Sequence, residues 1–143
     1  MRRRIMIKNI LPPITIDAKG NERKTRVFIN LDGTIFNPKK GLRPQTRELL
    51  SALRNRGYYI MVWSDISIED IRITLREYDI VSLVDGYTRK QDVKYIELRP
   101  DWIIDSDDFI LEFYSNTSWF VPWWIGEEDD KAFLPLIENI KRA

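Results

Sequence analysis

The sequence predicts an α/β domain with a doubly wound parallel sheet. Short apolar runs of strand length alternate with amphipathic stretches of helix length, the pattern of successive βαβ units. The runs end in polar or turn-forming residues, as at Asn30-Leu31-Asp32-Gly33 and Asp105-Ser106-Asp107. With 143 residues, 43% hydrophobic and 31% charged, the chain is long enough for one core that buries about 70% of its unfolded surface.

Taken in order, residues 1–24 read as an N-terminal β extension of a single domain spanning residues 1–143, with residues 25–143 as its core. Arg4 to Ile16 holds short β-like stretches around Pro12-Pro13, and Asp17-Ala18-Lys19-Gly20-Asn21 is rich in turn formers. Thr25 to Asn30 is a buried strand. Pro44 suits the first position of a helix running to about Arg56, with Leu49, Leu50 and Leu53 on one face and Gly57 as its stop. Tyr58 to Trp63 is the next strand. Ser67-Ile68-Glu69-Asp70 resembles a capping box with Asp for Glu, opening a helix whose stripe is Ile68, Ile71 and Leu75. A third unit runs from Val81 to Val84 through a turn at Asp85-Gly86, a helix near Gln91 to Leu98 and a strand from Asp101 to Asp105. Asp107 to Tyr114 is a further short helix, and Trp119 to Ile125 is strand-like but broken by Pro122. A last helix spans about Asp130 to Arg142. Repeats, low-complexity tracts and linkers are not evident.

Composition narrows the chemistry. The chain has no His and no Cys, which excludes His-based triads, thiolate nucleophiles, His or Cys zinc sites and disulfides. Carboxylates, Lys, Arg, Ser, Thr and Tyr remain, and an oxygen-ligated ion such as Mg²⁺ is what they suit. Twenty-three basic and 22 acidic side chains give a net charge of +1, so overall charge favours neither nucleic acid nor membrane. Arg2-Arg3-Arg4 reads as a solvated end rather than an arm for an acidic partner. No apolar run approaches the roughly 20 residues of a membrane span, so the expected location is the cytoplasm, or the host cytoplasm for a viral protein. Gly-x-x-x-x-Gly-Lys and Gly-x-Gly-x-x-Gly are both missing, which disfavours a P-loop kinase or a dinucleotide enzyme.

In doubly wound sheets, ligands bind outside the C-terminal ends of the strands. The residues there form an ordered set. Asn30 and Asp32, followed by Gly33 and Thr34, end the first core strand; Ser64 ends the second; Lys90 precedes the third, which ends at Asp105 with Ser106, Asp107 and Asp108 after it. This order resembles the four motifs of the haloacid dehalogenase-like (HAD) phosphatase superfamily: Asp-x-Asp-Gly-Thr, a Ser or Thr, a Lys and an acidic pair. The resemblance covers about Val27 to Tyr114 and rests on order and spacing together, since each piece alone has a bland reading: a hairpin turn, a solvated lysine, a helix cap.

The resemblance implies a three-layer HAD-like Rossmannoid fold and phosphoryl transfer through an aspartyl-phosphate. By position, Asn30 stands where the family's nucleophile and metal ligand is Asp, and Asp32 where an acid/base acts on leaving group and water. Gly33 and Thr34 shape the loop against a phosphate, Ser64 bonds a phosphate oxygen and Lys90 offsets its charge, with Lys94 as the fallback. Asn30, Asp32, Asp105, Asp107 and Asp108 are the candidate Mg²⁺ ligands. Two positions depart from the pattern. Asn30 is a neutral amide, a poor nucleophile and a weaker ligand for a hard cation, and Ser106 replaces one potential metal carboxylate. The short gaps between motifs match capless members, whose open sites admit a polynucleotide end or a protein side chain, or close by homo-oligomerisation. Trp102, Trp119, Trp123 and Trp124 cluster late in the chain; without interleaved Lys or Arg they read as core or interface packing rather than as nucleobase stacking.

Three readings compete. The first is a Mg²⁺-dependent HAD phosphomonoesterase with its nucleophile blocked, inactive or substrate-trapping. The second is a natural pseudophosphatase that binds phosphate or a protein partner. The third is a slow hydrolase in which Asp32 activates water directly.

Overall fold

The computed structural model describes residues 10–95, 98–107 and 117–143. Among them the centre is a five-stranded, wholly parallel sheet of β3 (Arg26–Asn30), β6 (Tyr59–Ser64), β7 (Gly86–Arg89), β8 (Trp102–Asp105) and β9 (Ser118–Phe120), in spatial order β7-β6-β3-β8-β9. The chain steps outward from β3 through β6 to β7, then returns to the other side of β3 for β8 and β9. The reversal lies between β3 and β8, the topological switch point at which such sheets open a crevice.

Side chains of opposite parity on β3 point to opposite faces. Val27 and Ile29 join Ile60, Val62, Trp102 and Ile104 in the larger core cluster, with residues of α1 (Thr46–Arg56), α2 (Ile68–Glu77) and α3 (Phe133–Arg142). Phe28, Met61, Trp63 and Ile103 face the other way and pack with Val93 from the 3-10 segment Lys90–Tyr95. Burial on both faces explains why these strands read as continuous apolar runs rather than alternating ones.

The stop of α1 and the cap of α2 lie where the sequence puts them, but α1 begins at Thr46 rather than at Pro44, because Gln45 takes the left-handed conformation at φ 66° ahead of it. Gly57 stops α1 in the left-handed region at φ 95° and returns its N–H to the Arg54 carbonyl. Ser67 caps α2 by accepting the Asp70 N–H at 3.1 Å. Several details differ from expectation. Ile68 is exposed, so the buried stripe of α2 is Ile71 and Leu75. Gly86 opens β7 instead of completing a turn, while the Asp85 carboxylate accepts the Ile60 N–H at 2.8 Å. The helix expected near Gln91 to Leu98 is, where described, a 3-10 segment. The last helix begins at Phe133, three residues later than expected, and Asp130 ahead of it pairs with the buried Arg43. The Lys94 side chain, Asp108 and the rest of the helix expected through Tyr114 lie outside the described residues, as does the N-terminal segment 1–9.

Of the N-terminal extension, β1 (Ile14–Ile16) and β2 (Glu22–Lys24) form an antiparallel hairpin. Its turn is fixed by the Asp17 carboxylate, which accepts the Lys19 and Asn21 N–H groups, both at 2.9 Å. Arg23 clamps the hairpin to the head of β8 through a two-pronged pair with Asp101, at 2.6 and 2.8 Å. A second hairpin, β4 (Phe36–Asn37) and β5 (Gly41–Leu42), follows the loop after β3. No helix among the described residues is long and apolar enough to cross a membrane.

Candidate active site

β3 delivers Asn30 to the sheet rim, and the chain then folds back tightly. The Leu31 carbonyl accepts the N–H groups of Thr34, Ile35 and Phe36, and the Gly33 N–H returns to the Phe36 carbonyl at 2.8 Å. Gly33 sits at φ 78°, a left-handed conformation that costs a side-chain-bearing residue roughly 1–2 kcal/mol. This is why the sequence carries glycine after Asp32.

Asn30 is 5% exposed. Its amide nitrogen donates to the Asp32 carbonyl at 2.6 Å and to the Thr34 hydroxyl oxygen at 3.1 Å. Thr34 Oγ1 lies 3.0 Å from Ser106 Oγ, which in turn donates to the Gly33 carbonyl at 3.3 Å. The loop after β3 is thereby laced to the loop after β8 across the switch point. Ser106, read from sequence only as a lost carboxylate, is a structural link between the two.

Asp105, with no exposed surface, holds its carboxylate against Lys90 Nζ at 3.1 Å. The other carboxylate oxygen accepts the Ser106 and Asp107 N–H groups at 2.7 and 3.0 Å. Burial pushes the Asp105 carboxyl above its ordinary range, against the opposing pull of Lys90 and these N–H groups. Lys90 also lies 5.5 Å from the centre of the Trp63 ring. Asp32 is likewise pushed up, first by burial and then by the nearby Asp65 carboxylate, with Lys90 acting in the opposite sense. A carboxyl biased toward its protonated form suits a group that must give a proton and take it back. Ser64 is buried at the end of β6, beside Trp63, whose backbone pairs with Asn30.

The structure thus brings Asn30, Asp32, Gly33, Thr34, Ser64, Lys90 and Asp105 to one rim, with the exposed Asp107 at its edge. The acidic set is looser than the sequence suggested. Among the described residues no three His, Cys, Asp or Glu side chains group closely enough to hold a metal ion. The donors are still of the type a hard cation takes: Asp32, Asp105 and the Asn30 carbonyl oxygen offer only oxygen.

One feature escaped the sequence reading. Arg43, 2% exposed, pairs through two bonds with Asp130 at 2.7 and 3.0 Å and donates to the carbonyls of Thr34 and Pro122 at 3.1 and 2.8 Å. Its guanidinium also covers the Phe133 ring at 5.1 Å. Burial pushes the Asp130 carboxyl up, but Arg43 outweighs it and holds the group below its ordinary range. A lone Arg after a hairpin carries no sequence signal for this role, because its partners Pro122 and Asp130 are 79 and 87 residues away. The tryptophan cluster divides: Trp102, Trp119 and Trp124 are core, as the packing expectation has it, whereas Trp123 is 57% exposed.

A five-stranded parallel sheet flanked by helices, with its strand order reversing between β3 and β8, is consistent with a HAD-like Rossmannoid fold. A solved structure supports it: the core domain of a protein from Streptococcus pneumoniae TIGR4, provisionally named a phosphoglycolate phosphatase, is similar with a TM-score of 0.53 at 17% identity. The match covers 85% of this chain and 98% of that one. Comparison with protein-family models gives no match, and neither does comparison with curated proteins.

Proposed function

We propose that this rim binds a phosphate monoester and that the chain is a HAD-type phosphomonoesterase scaffold whose covalent step is blocked at Asn30. The observation that carries the reading is the convergence of Asn30, Asp32, Ser64 and the Lys90–Asp105 pair on the switch point of a parallel sheet. Phosphoryl transfer depends mainly on positioning and charge neutralisation, and these residue types supply both. Lys90 and Ser64 meet the phosphate oxygens, and Asp32 holds the proton for the leaving group. Asn30 occupies the point of attack with an amide nitrogen already committed to Asp32 and Thr34. Mg²⁺ is the ion this oxygen donor set suits, held by Asp32, Asp105 and the Asn30 carbonyl oxygen with Asp107 at the margin; it would offset phosphate charge. The neutral amide and the engagement of Asp105 by Lys90 make that site weak.

The test is hydrolysis of an aryl phosphate with Mg²⁺ present. The chain as given is inactive under this reading, and Asn30→Asp restores metal-dependent turnover. A second reading has its own support. The loop is built around a hydrogen-bond donor at position 30, which a carboxylate cannot replace, and this fits a natural pseudophosphatase that binds without cleaving. A folded Asn30→Asp protein that binds phosphate esters but hydrolyses none would favour it.

A further inference from the structure

Trp123 is mounted in an unusual way. Its neighbours are fixed: Val121 is buried, the Pro122 carbonyl accepts from Arg43 at 2.8 Å, and the Trp124 N–H donates to the Gly33 carbonyl at 2.8 Å. Trp124 is anchored again by its indole N–H, which donates to the Glu127 carbonyl at 3.0 Å. Between these anchors the Trp123 indole lies on Gly33. A Cβ built at Gly33 would be nearly equidistant from Cδ2, Cε3 and Cζ3 of that indole. A point equidistant from three consecutive atoms of a six-membered ring lies on the axis of that ring. One ring face is therefore covered by the Gly33 Cα, and the residue nonetheless remains 57% exposed. Burying this aromatic is not what the fold uses it for.

Its place is one residue from Asp32 and Thr34, at the edge of the proposed phosphate site. Lys40, on the turn of the β4–β5 hairpin, runs its side-chain stem over Gly126, three residues along from Trp123, and Lys39 beside it is exposed. The acidic run Glu127-Glu128-Asp129 follows immediately. A long polyanion passing in that direction would meet like charge, whereas a single terminal nucleotide would not. We infer that Trp123 is a stacking platform for the base of a nucleotide whose terminal phosphate enters the rim beside Gly33, so that the phosphate monoester is a nucleotide or a nucleic-acid end. This deepens the proposed function and rests on it.

Equilibrium titration of the full chain with Mg²⁺ present tests the inference, using AMP, UMP, ribose 5-phosphate, phosphotyrosine and a 5′-phosphorylated oligonucleotide as probes. Base stacking on an aromatic side chain predicts that AMP binds about 5- to 150-fold more tightly than ribose 5-phosphate. In Trp123→Ala that ratio falls to about one, and in Trp123→Phe it is largely retained; thermal melting of each variant establishes that it is folded. Comparing AMP with the oligonucleotide separates a free nucleotide from a strand end. Equal binding of AMP and ribose 5-phosphate by the parent chain overturns the stacking role and leaves the phosphate site standing. An AMP preference that survives in Trp123→Ala overturns it too, as does a Trp123-dependent gain for phosphotyrosine alone. Binding of no probe overturns both the inference and the phosphate reading beneath it.

Discussion

Asn30→Asp is the perturbation that probes this site most deeply, because it exchanges a donor for an acceptor at a buried point. The amide nitrogen lies 2.6 Å from the Asp32 carbonyl oxygen. A carboxylate there loses that bond and places two acceptors in contact, with the Asp32 carboxyl close by. The Thr34 hydroxyl, 3.1 Å away, can turn to donate instead, so that half of the arrangement survives. Leaving one buried acceptor unsatisfied costs about 1–3 kcal/mol, which for a chain of this size lowers Tm by roughly 3–10 °C. The effect has a pH signature. Burial raises the folded pKa of the new carboxyl, so the variant matches its parent below the unfolded value of about 3.9. It then loses stability as pH rises through the folded value. Mg²⁺ ligation opposes the loss, so the Tm deficit shrinks with added metal. Differential scanning calorimetry at neutral pH, with and without Mg²⁺, reads each part. An Asn30→Asp protein as stable as its parent without metal would refute the donor role assigned to the amide.

Three further outcomes are expected. Arg43→Ala strands the Asp130 carboxylate and two carbonyls, and the loss of one partner of a nearly buried pair predicts about 3–5 kcal/mol of destabilisation by urea denaturation. Gly33→Ala is destabilising in the parent through both the positive φ and the Trp123 ring; in a Trp123→Ala background the cost falls toward the roughly 1–2 kcal/mol of backbone strain alone, readable as a double-mutant cycle. For Asp101, burial raises the carboxyl but the Arg23 bonds, with the Arg26 N–H, outweigh it, and the folded pKa lies below the ordinary 3.8. Its contribution is therefore present above 3.8 and is lost as pH falls through the folded value. Arg23→Ala should shrink that acid-sensitive part, measurable as a flatter stability profile below about pH 4.

The central strands β3, β6 and β8 were legible because they are buried on both faces and read as apolar runs, whereas the half-buried Gly86-Tyr87-Thr88-Arg89 of β7 carries no such run; Gly57 and Ser67 mark helix ends by local chemistry. The shared rim was legible for a related reason: parallel topology places strand-ending residues on one side of the sheet, so Asn30, Ser64 and Asp105 are neighbours by strand order alone. What escaped depends on distant partners. Arg43 bonds to Pro122 and Asp130, and nothing within its own neighbourhood announces either. Ser106 was read through the carboxylate it lacks, while its hydroxyl bridges two loops. The tryptophans share one composition signal yet divide between core and surface, a distinction set by packing on Gly33 rather than by spacing.

The central claim is that this rim receives a phosphate monoester, and backbone amide NMR of the parent chain titrated with ribose 5-phosphate and Mg²⁺ tests it most directly. Saturable shifts should concentrate at Asp32 to Thr34, Ser64 and Asp65, Lys90, and Ser106 and Asp107. Saturable shifts confined to another part of the molecule, or none at any concentration, would contradict it.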